Sequence, residues 1–182
     1  AALAGTVIFD KTGTLTYANP VVEKIYPFKN YSQDFILQTA ACLEEHFPHS
    51  MARAVVRAAE EKNLAHDEMH SKVEYIVAHG ITTTINKKSA IIGSYHFVFE
   101  DEGCEIPKGR KRRFNALKPE YSHLYLAIEG KLEAVLYIED PVREEAAEAI
   151  RMLRESGIKH IVMMTGDSER TAKAIAEAVG VD

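Results

Sequence analysis

The sequence predicts an α/β protein in which a doubly wound parallel sheet is interrupted by an α+β insertion carrying an antiparallel sheet. Three observations support this prediction. Two short apolar runs, 5–10 and 159–164, each end in a polar loop and read as buried parallel strands. A helix-like segment precedes the second run and another follows it, the order of a parallel sheet with crossovers. Between the two runs, the pattern changes to helices followed by short strands and tight turns.

In chain order, Gly5-Thr6-Val7-Ile8-Phe9-Asp10 is the first strand, and Lys11-Thr12-Gly13-Thr14 is the loop at its C-terminal end. The stretches 34–47 and 49–63 read as helices. Short strands follow at 73–77, 81–85 and 89–92, and 121–128 with 131–138 forms a hairpin around Glu129-Gly130. Residues 143–156 place Ala146, Ala147, Ile150 and Leu153 at helical spacing, with Gly157 as the stop. The strand 159–164 then leads into the Thr165-Gly166-Asp167 loop, and Ser168 can cap a helix running to Gly180. The insertion is bounded by proline at Asn19-Pro20 and Asp140-Pro141. The expected organisation is a first segment 1–19, an inserted domain 20–139 and a second segment 140–182.

With 46% hydrophobic and 27% charged residues, the composition is that of an ordinary globular chain. A net charge of −5 gives no nucleic-acid footprint. No apolar run approaches the roughly 18 residues that span a bilayer. Cys42 and Cys104 have neither metal-site spacing nor a disulfide framework and read as reduced thiols. The chain starts at Ala1 without Met and stops just after a helix-like segment, so it reads as a fragment.

A carboxylate at the C-terminal end of a parallel strand lies where open α/β sheets bind ligands. Asp10 can act as a covalent nucleophile toward phosphorus. Such an attack on an already negative group needs cations and amides nearby. Lys11 offers charge, Thr12 and Thr14 offer hydroxyls, and Gly13 lets the backbone turn its amides toward a phosphate. On chemistry alone two readings stay open, a nucleophile or an aspartate that caps a turn.

The string Asp10-Lys11-Thr12-Gly13-Thr14-Leu15-Thr16 resembles the phosphorylation motif of P-type ATPases, within the haloacid dehalogenase superfamily. Thr165-Gly166-Asp167 is similar to the second phosphate-site motif of that family, and Asp140-Pro141-Val142-Arg143 to its hinge. The resemblance implies a Rossmann-like phosphorylation domain with an inserted nucleotide-binding domain, ATP as substrate and Mg²⁺ as cofactor. Asp10 would carry the phosphoryl group, and Asp10 with the Thr12 carbonyl would hold Mg²⁺. Lys11 would offset charge, Thr165 would donate its hydroxyl to the phosphoryl oxygens, and Asp167 would orient the loop or meet nucleotide-bound Mg²⁺. Related phosphatases carry a general acid-base Asp at the position of Thr12. Its replacement implies a long-lived phosphoenzyme, as an ion pump requires.

In the insertion, Phe47-Pro48-His49-Ser50 resembles the His-Pro segment of the heavy-metal branch, with Ser50 in place of Pro. His49 is the implied nucleotide contact, and His46 with Glu45 competes with it. Ala78-His79-Gly80 keeps one of two glycines usual in that branch, and Gly93-Ser94 replaces a Gly-Asn pair. The basic run Arg110-Lys111-Arg112-Arg113 reads as a solvated loop, with contact to acidic lipid headgroups or another domain as the alternative.

The implied protein is the ATP-binding and phosphorylation region of a transition-metal pump, on the cytoplasmic face of a membrane. Its partners would be the pump's membrane helices and actuator domain, with no nucleic acid. A catalytic Lys and a Gly-Asp-Gly loop usual further along the family's phosphorylation domain are not in the sequence, so the chain alone is expected to turn over ATP poorly. Two other classes compete: a soluble phosphohydrolase of the same superfamily and a non-catalytic nucleotide-binding module.

Overall fold

The computed structural model describes residues 5–45, 50–64, 70–76, 80–85 and 87–182. Two sheets organise it. The smaller pairs β1 (Thr6–Asp10) with β8 (His160–Met164) in parallel, from Thr6 opposite His160 to Asp10 opposite Met164. The larger is antiparallel and has six strands: β2 (Val21–Pro27), β3 (His70–Ile76), β4 (Gly80–Ile85), β5 (Lys88–Gly93), β6 (Ser122–Ile128) and β7 (Lys131–Glu139). Their spatial order is β2-β7-β6-β5-β4-β3.

Both faces of the large sheet are covered, because successive side chains of a strand point to opposite sides. Leu124, Leu126, Leu136 and Ile138 face α1 (Gln33–Glu44) and α2 (Ser50–Glu61), which contribute Ile36, Leu37, Ala40, Val55 and Ala59 to one core. Tyr125, Ala127, Val135 and Tyr137 point the other way, onto Phe28, Phe97, Val98 and Leu117. The β6–β7 hairpin turns through Glu129 and Gly130, both at positive φ (51° and 68°), as a two-residue turn between twisted strands requires. Ser32 caps α1 by accepting from the Phe35 N–H.

The small sheet is built differently. Its crossover helix α4 (Ala146–Glu155) and the final helix α5 (Glu169–Val179) both pack on one face, where Ile150, Ile161 and Val179 meet Phe9 and Met163. Among the described residues, both helices of this two-stranded portion therefore lie on the same face. The opposite face, with Ile8 at 60% and Met164 at 61% exposure, is uncovered. α5 begins as expected, with Ser168 accepting from the Thr171 N–H, and ends at Gly180 with φ 83°.

Two corrections concern the insertion. Residues 21–27 had no expected element, yet β2 forms the edge beside β7. The basic run opens a short helix, α3 (Lys111–Asn115), instead of a loop. Its charges are solvated, but the Arg113 guanidinium lies 5.6 Å from the centre of the Phe28 ring.

The two polypeptide crossings between the sheets run side by side. Thr16 bridges Val142, the Tyr17 N–H donates to the Pro141 carbonyl at 3.1 Å, and the Asn19 N–H donates to Asp140 Oδ1 at 3.2 Å.

Candidate phosphorylation and nucleotide site

Parallel pairing places the Asp10 and Met164 strand ends together, so the loops that follow leave the sheet as neighbours. Asp10 is exposed at the tip of β1. The next five residues form an irregular turn fixed at both ends, with Lys11 and Leu15 buried and Thr12, Gly13 and Thr14 exposed between them. Gly13 has φ 81°, a conformation that costs a glycine little. Thr16 secures the turn, accepting from the Gly13 N–H at 3.2 Å and donating to Asp140 Oδ2 at 2.5 Å.

Lys11 turns inward. Its Nζ donates to Asp167 Oδ2 at 2.5 Å and to Ser122 Oγ at 2.9 Å. Thr165 Oγ1 also donates to Asp167 Oδ2, at 2.7 Å, and accepts from the Asp167 N–H at 3.1 Å. Both side chains of the Lys11–Asp167 pair are only 7% exposed. Burial pushes the Asp167 carboxyl upward, but the Lys11 charge and the hydrogen bonds from Lys11, Thr165 and Ser122 outweigh it and hold the group below its ordinary 3.8. The three predicted residues Lys11, Thr165 and Asp167 thus form one bonded cluster, with Asp167 as its hub.

A cleft of about 590 Å³ joins this cluster to the insertion. Lys11, Thr12, Thr165 and Asp167 line one end, and Ser50, Gly80, Gly93 and Ser94 line the other. The start of α2 at Ser50 therefore faces the space, and a helix N-terminus favours an anion. Gly80 has a packing reason for lacking a side chain. A Cβ there would fall 2.1 Å from Phe97 Cδ1 and 2.6 Å from the Ile92 carbonyl oxygen. Ser94 Oγ accepts from the Phe97 N–H at 3.3 Å, so it also shapes the turn below the cleft.

The other predicted contacts divide. His49, with His46, Ala78 and His79, lies outside the described residues. Glu45 is exposed at the end of α1 and lines a neighbouring groove with Asn19 and Arg57, not the main cleft. Its neighbour Glu44, 2% exposed, lines the main cleft instead. The helical phase of α1 could have shown this, since Glu44 lies four residues after Ala40 on the buried face. Ser122 had no signal in its own neighbourhood, because its partners come from positions 11 and 167.

Among the described residues no group of three potential metal-ligating side chains occurs, and no helix is long and apolar enough to cross a membrane.

Comparison with known proteins agrees with this geometry. A family model described as haloacid dehalogenase-like hydrolase matches residues 4–182. The chain is 35% identical over 184 residues to a zinc-exporting P-type ATPase of Mycobacterium marinum, covering all of this chain and 25% of that protein. It is 35% identical over 177 residues to a copper-exporting P-type ATPase of Legionella pneumophila, covering 97% of this chain and 23% of that one. The chain thus spans about a quarter of the length of the curated relatives it matches. Among solved structures, a zinc-transporting PIB-type ATPase in its E2.Pi state superposes with a TM-score of 0.63 at 29% identity, over 98% of this chain and 28% of that chain. With a family model spanning nearly every residue and the motif loops converging on one cleft, the chain belongs to the haloacid dehalogenase-like hydrolase family.

Proposed function

We propose that this chain is the ATP-binding and phosphorylation region of a membrane P-type ATPase that exports a transition-metal ion. The observation that supports this most directly is the cleft running from Lys11 and Thr12, the two residues that follow Asp10, to Gly80, Gly93 and Ser94. It spans the two parts that phosphoryl transfer needs, a nucleotide seat and an acceptor. The side-by-side, antiparallel crossings at Asn19 and Asp140 support the division into segments 1–19, 20–139 and 140–182. The curated relatives, by name zinc and copper exporters, support the transport role.

In this reading ATP lies along the cleft with its base toward Gly80 and Gly93, near the start of α2, and Glu44 in place of Glu45 faces it. His49 would contact the nucleotide as well. A carboxylate oxygen of Asp10 attacks the γ-phosphorus in line. A bond forms from Asp10 to phosphorus, the bond to the bridging oxygen breaks, and ADP leaves with the electron pair. Lys11 and Thr165 lie beside the acceptor and can turn from Asp167 toward the phosphoryl oxygens. The exposed Asp10 carboxylate and the Thr12 carbonyl are hard oxygen donors, which suit Mg²⁺ shared with substrate phosphates and water. When bound, Mg²⁺ neutralises charge on the transferring group. Thr12 has no carboxylate to activate water, so hydrolysis of the aspartyl phosphate is slow. The region would lie on the cytoplasmic face of the membrane, coupled to the pump's membrane helices and actuator domain, and the ion would bind elsewhere in the pump.

The test is label transfer from γ-labelled ATP in the pump of which this region is proposed to be part. Acid-stable, hydroxylamine-labile label that vanishes in Asp10→Asn is expected. Label of the same yield in Asp10→Asn would sink the proposal. Rapid hydrolysis of small phosphomonoesters, lost in that variant, would instead favour a soluble phosphohydrolase.

A further inference from the structure

We infer that Ser122 is a positioning residue for Lys11, through which the seating of the insertion sets the direction of the Lys11 ammonium. The inference takes Lys11 and Asp167 as parts of the proposed phosphorylation site. Three bonds cross from one segment of the insertion, residues 115–122, to the site. Ser122 Oγ accepts from Lys11 Nζ at 2.9 Å, the Tyr121 carbonyl accepts from Thr171 Oγ1 at 3.4 Å, and the Asn115 carbonyl accepts from Arg170 Nη1 at 2.9 Å. Their partners follow β1 or lie on the first turn of α5, directly after Asp167. The segment therefore grips both site loops at once.

The three bonds differ in kind. Thr171 and Arg170 donate to backbone carbonyls, so they report only where the segment lies. Ser122 alone uses a side chain, is 5% exposed, and meets a charged group of the site. An ammonium has three protons to place. Lys11 places one on Asp167 and one on Ser122, which leaves the third for an incoming anion. Shifting the segment either withdraws the Ser122 acceptor or drags the ammonium with it. Lys11 thereby senses insertion seating before any nucleotide is bound.

The test reads the Lys11 ammonium directly, by ¹⁵N NMR of labelled lysine side chains in the 182-residue chain, without nucleotide. Slow proton exchange from Lys11 Nζ is expected in the parent. Ser122→Ala should speed that exchange by roughly three- to tenfold, the effect of one lost hydrogen bond. Ser122→Thr, which keeps the hydroxyl, should restore it. Arg170→Ala, an exposed change that does not threaten folding, should speed it by a smaller factor through the loosened segment. Unchanged Lys11 exchange in Ser122→Ala overturns the inference, as does Ser122→Thr behaving like Ala. Exchange unaffected by Arg170→Ala overturns the link to insertion seating. Within the pump, Ser122→Ala should lower the rate of label transfer at unchanged KM for ATP, and a change confined to KM overturns the positioning role. Because the ammonium signal needs no phosphoryl chemistry, it can fail while label transfer to Asp10 stands, and the reverse.

Discussion

The two sheets of this molecule contrast in how they are covered. The six-stranded sheet is packed on both faces, and Leu126, Leu136, Tyr137 and Ile138 at its centre are almost fully buried. The two-stranded sheet is packed on one face and carries Ile8 and Met164 in the open on the other. Yet the smaller sheet holds the proposed acceptor carboxylate, Asp10, and both motif loops. Cohesion and the proposed chemistry are therefore divided: the insertion supplies most of the core, and the lightly covered sheet supplies the strand ends of the candidate site.

The contrast can be tested from its strongest point to its weakest. Lys11→Met should be the most costly change in the smaller unit. It leaves Asp167 buried without its cation, a loss of about 3–5 kcal/mol in denaturant unfolding. If the loss is under about 1 kcal/mol, the pair is solvated and the cluster is not a fixed unit. The same pair predicts acid behaviour. A carboxyl held below 3.8 contributes its stability above that pH and loses it as pH falls through the lower folded value, so the parent should weaken below about pH 4 and Asp167→Asn should not show that step.

In the large sheet, Leu136→Ala should cost about 2–5 kcal/mol, because both the transfer of the side chain and the cavity count against it. Gly80→Ala should cost about 1–3 kcal/mol by forcing Phe97 aside, and should weaken ATP binding measured by calorimetry. If binding weakens while stability is unchanged, Gly80 serves backbone approach to nucleotide and not packing. At the weak end, Ile8→Ser should change stability by about 0.5 kcal/mol or less, as expected for an exposed position. A loss as large as that of Leu136→Ala would mean that the open face is covered in solution.

Much of this was legible in the sequence, and the reasons are local. The apolar runs at 5–10 and 159–164, the Glu129-Gly130 turn and the Ser168 cap each carry their signal within a few residues, and each formed as expected. β2 escaped notice because its seven residues alternate poorly, with Glu23 and Lys24 adjacent, and it is held by pairing to β7 more than a hundred positions away. Both helices lie on one face of the small sheet, which helical periodicity alone does not determine. In the candidate site, Asp10, Lys11, Thr165 and Asp167 stand in contiguous motifs that the sequence alone displays. Ser122 was not, because a serine opening a strand is unremarkable until the fold brings Lys11 to it. Glu45 was named beside its neighbour His46, whereas Glu44 is the one that lines the main cleft.

The side-by-side crossings at Asn19 and Asp140 bear on the order of assembly. β1 must find β8 with Thr6 opposite His160, and closing a loop of about 150 residues is slow and entropically costly. Once the insertion has folded, its two ends emerge together and the free chain left to close is only about 33 residues. On the logarithmic scaling of loop entropy this saves roughly 1 kcal/mol. The insertion thus acts as a folding clamp for the strands that flank it, so refolding should show the large sheet protected from hydrogen exchange before β1 and β8. The proposed phosphorylation site is then the last part of the chain to assemble.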